Sequence, residues 1–367
     1  MLLVVFGAGA SYDSDPDHLP PLYDPNVRAD RLPPLEHHRP PLANSLFDNR
    51  PQFLNAMESF PECLVLISRL RKPGVAVEQE LAKFQEQASV YPDRHRQLIA
   101  IRFYLRRALW ECQDRWNGVH HGVTNYAVLL GEIERWRVEK REHVCFVTFN
   151  YDTMLEKAME VRRLIAPDMD SYPNWRNYSL FKLHGSIDWG RVVEGISRAV
   201  GGPIRFYQQL IDANPDNFSV TEKYMLCERE MQPKPDGAEV LFPALSIPVE
   251  KKDEFSCPLA HVTALKGLLP YVTKMITIGW RATEEEFLKM LVASRSAEIP
   301  GIRPAVELLV VTGSKDGAEQ TIKNLADYGA NQNLQDPDRA RFATGFTGLI
   351  NNLDTLGTFL RKGLHYA

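Results

Sequence analysis

The strongest constraint on this 367-residue chain lies at its start, where Leu2-Leu3-Val4-Val5-Phe6 forms an unbroken apolar run that stops on Gly7. A strand with one wet face alternates apolar and polar residues. A continuous apolar run needs cover on both faces, as in a parallel sheet. Val144-Cys-Phe-Val-Thr-Phe149 and Val306-Glu-Leu-Leu-Val-Val-Thr312 repeat the pattern, and Met275-Ile-Thr-Ile278 closes on Gly279. Helical patterns follow the later three strands, over Asp152 to Val161, Thr283 to Ser294 and Gly317 to Tyr328. Strands alternating with helices predict an α/β fold, with a Rossmann-like, mostly parallel sheet.

The gaps between these strands predict insertions. Residues 16 to 41 hold eight prolines, a density that excludes a helix or a central strand. Residues 16–44 are therefore expected to form a loop or lid. Apolar side chains recur at helical spacing over Val77 to Ala88, Leu98 to Trp116 and Asn125 to Trp136, so residues 45–142 read as a helical insertion. Residues 190–258 scatter Gly, Pro and aromatics and suit a second, small irregular insertion with a few strands. The sheet domain is then discontinuous, assembled from 1–15, 143–189 and 259–367.

Composition narrows the function classes. With 44% hydrophobic and 25% charged residues the chain is globular, and at a net charge of −4 it lacks the signature of a general nucleic-acid binder. Direct nucleic-acid binding is not expected. The basic clusters Arg69-Leu-Arg-Lys72 and Arg102 to Arg107 read more simply as solubilising charge than as a nucleic-acid or partner surface. The five cysteines form no C-x-x-C pair, which argues against a structural zinc site; no metal is expected, and an odd number of thiols suits a reducing cytosol. The start has no basic segment ahead of its short apolar run, and no apolar stretch reaches about 18 residues, so the expectation is a cytoplasmic protein with no membrane partner.

Three motifs can carry chemistry. Phe6-Gly7-Ala8-Gly9-Ala10-Ser11 follows a strand, where glycines allow a tight turn and close approach to a pyrophosphate, although a plain strand-to-loop turn would look the same. The proline tract begins within five residues of Ser11, which disfavours an ordinary nicotinamide dehydrogenase. Thr148-Phe149-Asn150-Tyr151-Asp152 stands at a strand's C-terminal end, where ligands of open α/β sheets bind. Asn150 suits a ribose hydroxyl there, and Asp152 suits either a ligand or a helix cap. In Leu183-His184-Gly185-Ser186 the histidine is either a satisfied core residue or a group that titrates near neutrality beside an accessible turn.

Taken in order, Gly-Ala-Gly-Ala-Ser, Asn-x-Asp and Leu-His-Gly-Ser resemble the sirtuin superfamily, and more closely its bacterial antiphage-defence branch. The resemblance covers the sheet domain, roughly half of the chain. It implies that Gly7, Ala8, Gly9 and Ser11 contact the dinucleotide phosphates, that Asn150 and Asp152 hold the nicotinamide ribose and position water, and that His184 is the catalytic base. Ile278-Gly279-Trp280 is similar to the family's later glycine turn, against the phosphates and nicotinamide-side ribose. Val311-Thr312-Gly313-Ser314 is similar to the strand end flanking the adenosine. Protein-deacylating sirtuins carry two C-x-x-C pairs after the His-Gly motif, and residues 190 to 258 hold only Cys227 and Cys257. That departure favours water as the acceptor, and hence NAD⁺ hydrolysis with NAD as substrate. A zinc-less NAD-dependent deacylase and a non-catalytic nucleotide-binding assembly module are the alternatives. A hydrolase of a central cofactor is expected to be gated, by the proline-rich segment or by homo-oligomer contacts of the helical insertion; the resemblance implies in addition a partner such as a hexameric DNA-translocase ATPase or an Argonaute-like protein.

Overall fold

In the computed structural model residues 1–21, 31–71, 77–88, 90–165, 168–197, 202–213, 217–234, 237–247, 255–296, 306–329 and 341–362 are described. They form ten strands: β1 (Leu2–Phe6), β2 (Val144–Thr148), β3 (Tyr178–Lys182), β4 (Gly185–Glu194), β5 (Ser219–Cys227), β6 (Pro233–Lys234), β7 (Val240–Leu245), β8 (Lys274–Ile278), β9 (Glu307–Val311) and β10 (Arg341–Phe342). The helices are α1 (Ala8–Tyr12), α2 (Pro51–Glu58), α3 (Leu64–Leu70), α4 (Val77–Ala88), α5 (Pro92–His120), α6 (Asn125–Lys140), α7 (Met154–Val161), α8 (Pro203–Asp212), α9 (Leu259–Leu268), α10 (Glu285–Ser296), α11 (Lys315–Asp327), α12 (Gly345–Ile350) and α13 (Leu353–Lys362).

Six strands form one parallel sheet in the order β10-β9-β8-β1-β2-β3, flanked by helices. The fold is α/β and Rossmann-like, as the apolar runs predict. Every residue of β1 and β2 is buried, which is why neither run could afford a polar face. Numbered along the chain within this sheet, the order is 3-2-1-4-5-6. It reverses between β1 and β8, and such a switch point opens a crevice at the C-terminal strand ends. Register sets the crevice level: Phe6 lies opposite Thr148 on one side and Ile278 on the other, so Gly7, Phe149 and Gly279 emerge together.

The sequence patterns missed β3 and β10. β3 contains Ser179 and ends on Lys182, which breaks the apolar signature, yet all five residues are buried because Lys182 pairs with buried Glu156 at 2.6 Å. β10 has only two residues. A third miss is α1, a single short turn before the prolines.

The two insertions are not separate. Strands β6-β5-β4-β7 form an antiparallel sheet whose apolar side chains, such as Val193, Leu241 and Leu245, share one core with Phe53, Leu81, Phe103 and Leu105 of the helical block. The segment read as an irregular insertion is thus the sheet under those helices, and it begins at Gly185, inside the range first given to the parallel-sheet domain. The expected helices at 98–116 and 125–136 run longer, as α5 and α6. α6 packs through Leu129, Leu130 and Ile133 on the parallel sheet rather than within the helical insertion. α5 serves both cores: Leu98 to Cys112 belong to the second, Trp116 to the first. All five cysteines are buried and unpaired. Among the described residues no helix is long and apolar enough to cross a membrane.

Candidate functional site

At the crevice the ends of β1 and β8 interlock. The Gly9 amide donates to the Gly279 carbonyl at 3.1 Å, and the Gly279 amide donates to Val311 at 2.9 Å. A Cβ on Gly7 would lie 2.6 Å from the Gly279 oxygen, and one on Gly279 (φ +60°) would lie 2.3 Å from the Ala10 nitrogen. These glycines are required first because two backbones touch. The amides of Gly7, Gly9 and Ala10 are bonded to the carbonyls of Ile278, Gly279 and Gly7, so none of the three turns a donor outward, which narrows the phosphate role expected of this loop.

His184 stands between the two sheets. Leu183 donates its amide to Thr148, Ser256 donates to the Leu183 carbonyl, and Ser246 donates to the His184 carbonyl at 2.9 Å, which fixes the backbone from both sides. Gly185 (φ +77°) is compulsory here, since a Cβ would fall 2.0 Å from the Ala244 oxygen. The His184 ring lies 4.8 Å from the ring of Phe149, which stacks on Trp280 at 5.6 Å. Trp280 in turn donates its indole N–H to Glu284.

Asn150 follows β2 and is 7% exposed. Its Nδ2 lies 2.9 Å from Ser11 Oγ and 3.3 Å from the Tyr126 hydroxyl, and those two oxygens are 2.9 Å apart. Asn150 Oδ1 is buried and, among the described residues, has no hydrogen-bond partner. Burial pushes the Tyr126 hydroxyl well above the usual phenol range, so it stays protonated. Ser11, expected at the phosphates, instead has its buried hydroxyl in this cluster. Asp152, one residue ahead of the α7 N-cap Thr153, accepts from the Met154 amide at 3.1 Å through Oδ1. Ser314 caps α11, accepting from the Gly317 amide at 3.1 Å, while a Cβ on neighbouring Gly313 would meet nothing within 4 Å.

All the residues singled out from the sequence (Gly7, Ala8, Gly9, Ser11, Asn150, Asp152, His184, Gly279, Trp280, Gly313 and Ser314) line one cavity of about 780 Å³. That is within the range of small-molecule and cofactor sites. Pro20, Pro21, Pro40 and Pro41 form another wall, as a lid would; residues 22–30 of that segment, like Lys72 of the first basic cluster, lie outside the described residues. The segment is anchored by Arg39. Its guanidinium is fully buried, pairs with Glu36 at 2.6 and 2.9 Å, donates to the Tyr12 carbonyl at 2.8 Å and lies 4.5 Å over the Trp116 ring.

Sequence reasoning missed Tyr126, Gln113, Asp13 and Arg281. Tyr126 sits on α6 and Gln113 on α5, helices in which only the apolar periodicity was legible. Gln113 Oε1 accepts from the Thr153 amide and hydroxyl at 2.6 and 3.1 Å, tying α5 to the cavity floor. Asp13 accepts from Thr347 at both oxygens, and burial raises its carboxyl above the ordinary carboxylate range. Among the described residues, Asp13, Glu78, Asp152 and Glu284 line the cavity with one arginine, Arg281. Among the described residues no group of three or more His, Cys, Asp or Glu side chains is placed to hold a metal ion. No protein-family model matches the chain, and no curated protein matches it.

Proposed function

We propose that this cavity binds NAD⁺ and hydrolyses its nicotinamide–ribose bond. The observation that carries the reading is convergence: a histidine, a carboxamide and three glycine turns, distant in sequence, line one crevice at the switch point of a 3-2-1-4-5-6 sheet. The sirtuin-like order of the motifs gives that convergence its chemical direction.

In the reaction the ribose C1′–nitrogen bond breaks and a bond from C1′ to water oxygen forms. The products are nicotinamide, ADP-ribose and one proton. Nicotinamide leaves as a neutral molecule from a cationic substrate, so no strong general acid is needed. The protein has to orient the sugar and the water and take up the proton. His184 is the base in this reading, a role that typically contributes about 10² to 10⁴-fold in rate. Asn150 orients the water or ribose hydroxyl, and effective placement is worth as much as the base. Phe149 and Trp280 form an apolar wall beside the reacting sugar.

A hydrolase of a central cofactor must be restrained in a growing cell, and the reading therefore includes gating. The proline segment pinned by Arg39 is one candidate device. The helical block is another, as a contact surface for a second copy of the chain or for a defence partner of the translocase or Argonaute-like kind. The cytoplasm is the compartment in which such an effector would meet its substrate.

The test is to incubate purified protein with NAD⁺ and resolve the products. Free nicotinamide and ADP-ribose, lost in folded His184→Ala and Asn150→Ala variants, support hydrolysis. Nicotinamide released only with acylated peptide would select the deacylase. Calorimetric binding of NAD⁺ without turnover in every assembly state would select an assembly module.

A further inference from the structure

We infer that Lys182 is a positioning residue, whose buried ammonium ties the loop carrying Asn150 to the turn carrying His184 and holds the two against each other. The inference rests on the proposed reading for the reaction it serves, though not for the geometry.

The need for a tie comes from the sheet. β2 and β3 run in register to their last residues, with Thr148 opposite Lys182. Beyond that rung the chains part, one towards α7 and the other into β4 of the second sheet. Ladder bonds between the two backbones cannot continue across a widening fork, yet Asn150 and His184 both lie just past it. Local bonds make part of the repair. The Leu183 amide donates to the Thr148 carbonyl at 3.2 Å, and the Ile187 amide donates to the Tyr151 carbonyl at 2.9 Å. Ser186 Oγ adds a bond to the Tyr151 carbonyl at 3.3 Å. The next carbonyl, that of Asp152, is met by a side chain: Lys182 Nζ donates to it. A lysine stem is long enough to cross the fork from the last rung of β3.

A charge in this place is costly. Lys182 is fully buried, and so is its partner Glu156, 2.6 Å away in the first turn of α7. A buried ion pair seldom stabilises a core more than apolar side chains of the same size would. Packing alone therefore gives no reason for a lysine here, whereas the Asp152 carbonyl does. Glu156 directs the ammonium towards that carbonyl, and Leu183 and His184 follow Lys182 directly in the chain. A shift of the ammonium would move the histidine turn and the asparagine loop relative to each other.

The experiment compares stability with turnover. Lys182→Met removes the ammonium and keeps the stem. It should lower kcat for nicotinamide release about 10²-fold, the scale of a small misplacement of a reacting group, with KM within about twofold. That variant leaves Glu156 without its partner, so a second one carries the decision. Lys182→Met combined with Glu156→Leu replaces both members by apolar groups of similar size, an exchange that is often neutral for stability. The denaturation midpoint of this double variant should match the parent's, while kcat stays about 10²-fold down because the Asp152 carbonyl still lacks this donor. The Ile187 amide, the neighbouring stitch, should exchange with solvent about tenfold faster, with the amides of β1 unchanged. Glu156→Gln keeps an acceptor for Lys182 and should leave kcat near the parent's. A purely structural pair predicts the reverse, with turnover returning alongside the midpoint. Recovery of kcat in the folded double variant would overturn the inference. So would a double variant that cannot fold, since the pair would then serve the core itself. If the unmodified protein releases no nicotinamide, the hydrolase reading fails separately and the Ile187 exchange decides: an unchanged rate in the double variant overturns the tie.

Discussion

Gly9 and Gly279 touch across the switch point of the sheet: the amide of one donates to the carbonyl of the other at 3.1 Å, and a Cβ on Gly279 would lie 2.4 Å from the Gly9 carbonyl carbon. Gly279→Ala therefore meets both a left-handed backbone (φ +60°) and a backbone clash. It should lower folding stability by about 2–4 kcal/mol, the combined scale of backbone strain and overpacking. Gly313→Ala is the control, because nothing lies within 4 Å of its added methyl. Its stability should stay within about 0.5 kcal/mol of the parent, while calorimetry should show weakened NAD⁺ binding if the ligand passes that turn. Equal denaturation midpoints for the parent and Gly279→Ala would refute the interlock.

The buried Lys182–Glu156 pair sets a pH dependence. Burial pushes the Glu156 carboxyl up to about 7, even though Lys182 opposes the shift. Between the ordinary value of 4.5 and about 7 the folded protein binds a proton that the unfolded chain has released. This contribution is full below pH 4.5, falls as pH rises towards 7 and is absent above it. Denaturant titrations should show the parent losing stability from about pH 5 to about pH 8 relative to Glu156→Gln, which lacks the titrating group. Parallel pH profiles for the two proteins would exclude the effect.

His261 acts with the opposite sign. Burial pushes its imidazole down from 6.5 to about 4, and its Nε2 lies 3.2 Å from the Met169 carbonyl. In that interval the unfolded chain takes up a proton that the folded protein refuses. Stability from this site is therefore complete above pH 6.5 and drains away as pH falls towards 4, by as much as about 3 kcal/mol. His261→Gln should flatten the acid limb of the stability curve, read by thermal melts between those limits.

Removing Arg39 should loosen the cavity wall before it unfolds the protein. Arg39→Ala leaves Glu36 without its bidentate partner and the Tyr12 carbonyl without its donor, a class of loss worth about 3–5 kcal/mol in a buried setting. Limited proteolysis should cut within residues 16–44 faster than in the parent, while strands of the central sheet keep their hydrogen-exchange protection. A cleavage pattern identical to the parent's would show that Arg39 does not hold this wall.

The parallel sheet was legible because β1, β2, β8 and β9 are buried along nearly their whole length and so carry largely apolar runs. β3 was not, since Lys182 at its end makes sense only once Glu156 is seen beside it. The antiparallel sheet was hidden in the same way: exposed and half-buried positions dominate β5, whose residues face the helical block or solvent in no simple alternation. For the cavity, residues named from glycine turns and strand ends were readable because backbone geometry restricts them locally. Tyr126, Gln113 and Asp13 were not, because their polar contacts join segments 24 or more residues apart and leave no trace in either segment alone.

The 29 residues of α5 make a rod about 44 Å long that is embedded in both halves of the molecule. Gln113, on its surface, is clamped to Thr153 at the cavity floor, and Trp116, one turn further on, supports Arg39. Continuous helix thus runs from the second core to the chamber, the path along which a torque on the distal bundle would travel. Displacing that bundle must either sever the Gln113 clamp or drag the chamber wall with it, and a remote docking event would be felt mechanically at the base of the crevice.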